Sequence, residues 1–112
     1  MYRDLIVWKR AFQFTLDIYA VTKTFPREEL FGLTSQMRRA AASIPANIAE
    51  GSMRSNKENL HFLQIARGSM AESEVWLELS HKLNYIDDAT YKGLYNLCDE
   101  IGRLLSGLVK SL

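Results

Sequence analysis

Apolar residues recur at steps of three and four along nearly the whole chain, and β-branched alternation of period two is absent, so the pattern predicts helices and no sheet. It is cleanest towards the C-terminus, where Tyr91, Leu94, Cys98, Ile101, Leu105, Leu108 and Leu112 alternate the two steps without an error. Such a run is the seam of a helix packed in coiled-coil fashion. Asp87 stands at its start as a good N-cap, with Ile86 and Tyr91 spaced as a hydrophobic staple around it.

Three more helices follow from the same periodicity and the punctuation between runs. The first begins after Asp4 and stops before Phe25-Pro26, because a residue preceding proline is pushed out of the helical region. Its main stripe reads Leu5, Trp8, Phe12, Thr15 and Tyr19. A second stripe, Val7, Phe14 and Val21, lies about 100° round the helix and makes the apolar arc wider than one partner helix requires, which hints at an interface. Residues 26–32, PREELFG, form the first connection. The second helix runs from about Leu33 to Glu50, burying Leu33, Met37, Ala40, Ala41, Ile44 and Ile48, with Gly51 placed to terminate it. The third opens near Asn56 behind the capping box Ser55-Asn56-Lys57-Glu58 and continues to about Asn84, with the seam Leu63, Ala66, Met70, Ser73, Leu77 and Ser80. Short connections force neighbouring helices to run antiparallel, so the expected architecture is all-α, an up-down-up-down four-helix bundle formed by residues 1–112 as one domain.

One segment departs from the simple pattern. RRAAASIPANIAEG, Arg38 to Gly51, is an amphipathic helix with a proline inside it. An interior proline removes a backbone hydrogen bond, clashes with the preceding turn and costs about 3 kcal/mol, so it demands a structural or interaction reason. Small residues on either side of Pro45 allow close packing, while Asn47 and Glu50 are placed to satisfy groups near the bend.

Composition adds bounds. With 112 residues, 47% hydrophobic and 24% charged, the chain is sized and balanced for one compact globular core. The net charge of +1 supplies no global attraction for nucleic acid or an anionic membrane, so any such binding has to come from local clustering. No stretch of eighteen apolar residues and no cleavable leader is present, and Cys98 is the single cysteine, so the expectation is a cytoplasmic protein with no membrane association and no intramolecular disulfide.

The search for reaction chemistry turns up little. Glu-x-x-His occurs twice, as Glu58/His61 and Glu78/His81, but both copies fall on the third helix about 30 Å apart and cannot meet at one metal pair. Gly-rich phosphate loops, Cys-x-x-Cys pairs and nucleophile–base arrangements are missing, so neither metal, cofactor nor enzymatic activity is expected. Two sets of charges deserve consideration. Arg67 and Glu74 share one face of the third helix and form either a bonded network, with Glu50 as a further acceptor for Arg67, or a solvated pair. Arg38, Arg39, Arg54 and Lys57 are candidates for phosphate contact, against the alternative of solvated charges and intersubunit salt bridges. Aromatic residues are not interleaved with them in the sequence.

The order of DLIVWKRA (Asp4 to Ala11), FP (Phe25, Pro26), GLTSQMRRAAASIPANIAEG (Gly32 to Gly51) and LQIARGSMAE (Leu63 to Glu72) resembles the four-helix-bundle proteins encoded in intervening sequences of bacterial 23S ribosomal RNA genes. The resemblance spans nearly the whole chain. It implies a bundle that assembles as a ring-shaped homopentamer. A related member works beside the reverse transcriptase of diversity-generating retroelements, which makes RNA, DNA or such an enzyme the implied partner. The family motif singles out Arg38, Arg39, Pro45, Asn47, Glu50, Gly51, Arg67 and Glu74 in this chain. The near-zero net charge departs from the strongly positive retroelement member.

Overall fold

A computed structural model describes all 112 residues and contains four long helices: α1 (Ile6–Thr22), α2 (Leu33–Ser52), α3 (Asn56–Lys82) and α4 (Asp88–Lys110). Single 3-10 turns, Tyr2–Asp4 and Arg27–Glu29, precede α1 and α2. Each helix packs on its two neighbours in cyclic order, α1 on α2, α2 on α3, α3 on α4 and α4 on α1, while the diagonal pairs stay apart. The result is a rod of 42 × 25 × 20 Å with one core running its length.

The helix ends follow local chemistry. The Ser55 hydroxyl accepts from the Glu58 amide at 3.3 Å, and the Asp87 carboxylate accepts from the Thr90 amide at 2.8 Å, so α3 and α4 both open on side-chain caps. The capping box is half of the expected form, because the Glu58 carboxylate accepts from the Ser55 hydroxyl instead of the Ser55 amide. α2 has no cap from its own first residue; the Glu29 carboxylate reaches forward and accepts from the Leu33 amide at 3.2 Å and from the Tyr85 hydroxyl at 2.9 Å. α3 closes through Asn84 in the left-handed conformation (φ 64), with the Asn84 amide donating to His81 and the Tyr85 amide to Ser80. That pair of bonds satisfies two carbonyls that the helix end leaves free.

The seams expected for α2, α3 and α4 are the buried ones, apart from the ends of the α4 run: Tyr91 and Leu108 are half-buried and Leu112 is exposed. The first helix is different. Val7, Ala11, Phe14, Ile18 and Thr22 are buried, whereas Phe12 and Tyr19 of the expected main stripe are 45% and 43% exposed. The inward arc runs through Ala11, whose size lets α1 approach its neighbours closely but which carries little hydrophobic weight in the pattern. The bulky stripe lies at the rim and leaves an aromatic surface over the α1/α2 seam.

Candidate functional site

Pro45 is buried within α2 and has no N–H to offer the Ala41 carbonyl one turn earlier. The Thr15 hydroxyl of α1 fills that vacancy, lying 3.1 Å from the Ala41 oxygen while also 2.9 Å from the Ala11 oxygen, so its single proton is shared between the two. Two residues beyond the proline, the Asn47 amide donates to the Ser43 carbonyl at 2.8 Å and to the Ser43 hydroxyl at 2.9 Å, and the Ser69 hydroxyl of α3 donates to the same Ser43 hydroxyl. Asn47 thus bonds groups within one turn of the proline. Glu50 does not: its carboxylate pairs with Arg54 at 3.1 Å. Gly51 is not a terminator either. It is helical and buried, and a Cβ there would meet Asn59 Oδ1 at 2.5 Å and Phe62 Cβ at 2.9 Å. Its role is to let α2 and α3 close together at their shared end.

The four basic candidates stand in four different situations. Arg54 is ion-paired with Glu50 and, at 3.6 Å, with Glu58, and its guanidinium lies 5.3 Å from the Phe62 ring centroid, so its charge is already answered. Lys57 is exposed in the first turn of α3, roughly 20 Å along α2 from Arg39 at 1.5 Å per residue. The four groups thus do not form one patch. Arg38 turns inward, donating to the Thr22 hydroxyl at 2.9 Å and lying 4.7 Å from the Tyr19 ring centroid. Arg39 faces solvent without any ion pair or hydrogen bond. Neither Arg38 nor Arg39 has a carboxylate partner.

Around those two arginines the fold assembles what the sequence keeps apart. A cleft of about 430 Å³ is lined by Tyr19, Leu30, Phe31, Thr34, Ser35, Arg38, Arg39 and Ala42. Its aromatics arrive from α1 and from the connection before α2, and Phe31 is 94% exposed. Sequence reasoning missed Phe31, although two consecutive bulky apolar residues, Leu30 and Phe31, in a short connection ahead of a glycine were a signal.

Arg67 and Glu74 meet neither each other nor Glu50. Arg67 is exposed and makes only a 3.4 Å bond to Gln64, so the network reading fails and the solvated one stands for this residue. Both line a groove of about 540 Å³ between α3 and α4, floored by Cys98 and Met70 and edged by Asp99, Arg103 and Lys110. Partial burial, then the charge of Asp99, holds the Glu74 carboxyl above its usual range. Burial, then Glu74, pushes the Cys98 thiol far up, which keeps it protonated and inert. No three His, Cys, Asp or Glu side chains converge on a point that could hold a metal ion. The two histidines have unlike surroundings. His61 faces solvent, whereas His81 is half-buried, bonded to Asp88 at 2.6 Å and stacked on Tyr91, tying α3 to α4.

A comparison with protein families matches residues 3–107 to the model described as 23S rRNA-intervening sequence protein. Among solved structures, the chain is similar to a protein of unknown function from the S23 ribosomal protein family of Bacteroides thetaiotaomicron VPI-5482, with 31% identity over 98% of this chain and 99% of that one and a TM-score of 0.88. No protein of curated function matches. No helix is long and apolar enough to cross a membrane.

Proposed function

The chain belongs to the 23S rRNA-intervening sequence protein family, and on that premise we propose that it is a non-catalytic scaffold that assembles with copies of itself. The observation that carries this reading is a pair of unlike apolar surfaces, one at the α1/α2 seam and one on α3. One is a groove over the α1/α2 seam, where Trp8 and Phe12 stand beside Ala42, Pro45, Ala46 and Ala49. The other is the outward face of α3, where Ile65, Val75 and Leu79 are 38%, 57% and 41% exposed. Val75 and Leu79 are one helical turn apart, and adjoining exposed apolar side chains are a mark of interaction. Two different faces meeting head to tail generate a ring when the rotation closes, which accords with the five-membered ring that the family resemblance implies. A non-catalytic role is supported by a buried, protonated Cys98 and by a His81 engaged in holding two helices.

The assembled ring repeats the Arg38/Arg39 pair once per copy, concentrating positive charge that a single chain of net charge +1 lacks. That pair, free of carboxylates, favours contact with RNA, DNA or a nucleic-acid enzyme such as a reverse transcriptase. Light scattering on the purified protein tests the assembly: the expected mass is about five times the 12.8 kDa of the chain, and a monomer would overturn it. An intact assembly that shifts no RNA or DNA at low salt would leave a purely structural module.

A further inference from the structure

We propose that the cleft between Tyr19 and Phe31 takes an unpaired nucleotide of a single-stranded nucleic acid, with the base on the Phe31 ring and the phosphate on Arg39; this rests on the nucleic-acid contact proposed above. A ring that is 94% exposed serves no core, and it stands in a cleft whose lining carries two arginines and not one carboxylate. Arg38 is already oriented by Thr22 and Tyr19 and keeps donors to spare, since only its Nε and one terminal nitrogen are engaged. Thr34 gives an independent sign. Its side chain is 3% exposed and lines the cleft, and its hydroxyl makes no hydrogen bond to another side chain or to the backbone, so it stays open to a polar group entering the cleft. A volume of about 430 Å³ falls in the range of small-ligand sites. Aromatic stacking beside an unpaired cation is the chemistry of single-strand recognition, and a base inside a duplex already has both faces stacked on its neighbours.

The test is fluorescence anisotropy with a short oligouridylate, alone and annealed to its oligoadenylate complement, on wild type, Phe31→Ala, Phe31→Trp and Arg39→Ala. The single strand should bind better than the duplex. Phe31→Ala should weaken it about tenfold with the salt dependence unchanged, and Phe31→Trp should restore it. Arg39→Ala should lower the salt slope by about one phosphate contact. Equal affinity for strand and duplex, or Phe31→Ala binding as wild type does, overturns the cleft and leaves nucleic-acid contact elsewhere on the ring. Wild type binding neither probe overturns both readings. A loss of native mass in Phe31→Ala identifies the ring as a subunit contact and overturns the cleft.

Discussion

The Thr15 hydroxyl lies 3.1 Å from the carbonyl oxygen of Ala41, the acceptor that Pro45 strands by having no N–H. A helix from elsewhere in the bundle thus completes the hydrogen bonding of a helix that its own sequence interrupts. Removing the partner of a buried carbonyl costs about 1–3 kcal/mol, so Thr15→Val should destabilise by about that amount. Pro45→Ala supplies the missing N–H from within α2, and Thr15→Val should then cost markedly less. Denaturant midpoints for the two single variants and the double variant close the cycle. Additive effects would mean that the hydroxyl and the proline are unrelated.

Glycine plays opposite parts at two helical sites. Gly51→Ala drives a methyl group into Asn59 and Phe62, and it should destabilise by about 1–3 kcal/mol because both neighbours are held by the packing of α3. Gly93 is exposed with open space around it, so Gly93→Ala should stabilise by about 0.5–1 kcal/mol through helix propensity alone. Thermal unfolding of the pair reads both signs in one experiment.

The groups with raised pKa set the pH response. Cys98 and Glu74 both hold their protons more tightly folded than unfolded. Each contribution is therefore complete below the unfolded pKa and is lost as pH rises. For the thiol the loss begins at about pH 8.5, and for Glu74 it begins at about pH 4.3, as their unfolded forms ionise. Urea midpoints measured across pH should show Glu74→Gln flattening the fall above that acid onset. They should also show an alkaline decline in wild type that Cys98→Ala reduces, despite its lower baseline.

The seams of α2 and α3, most of the α4 seam and the caps Ser55 and Asp87 were legible in the sequence, because large apolar side chains at helical spacing and hydroxyl or carboxylate caps act over one or two turns. The arc of α1 was legible only in part: Val7 and Phe14 of the second stripe are buried, but the main stripe is not the inward one. The buried stripe passes through Ala11, while Trp8, Phe12 and Tyr19 carry the hydrophobic weight at the rim. Gly51 resembled a terminator since terminal glycines and close-packing glycines look alike until the neighbouring helix is placed. The charge assignments failed for a related reason: Arg54, in the turn that follows α2, folds back onto Glu50 in the last turn of that helix, a local pair that takes Arg54 out of the phosphate set and Glu50 away from Arg67. Phe31 became notable only once the fold set it beside Tyr19 and two arginines.

The unlike-face assembly is tested most directly by mixing two variants that each damage one face, Phe12→Asp over the α1/α2 groove and Val75→Asp on the outer face of α3. Each alone should lose the ring. Mixed in equal amounts, the intact face of one variant meets the intact face of the other, and light scattering should record a dimer and nothing larger. A mixture that stays monomeric, or single variants that keep the full wild-type mass, would contradict the account.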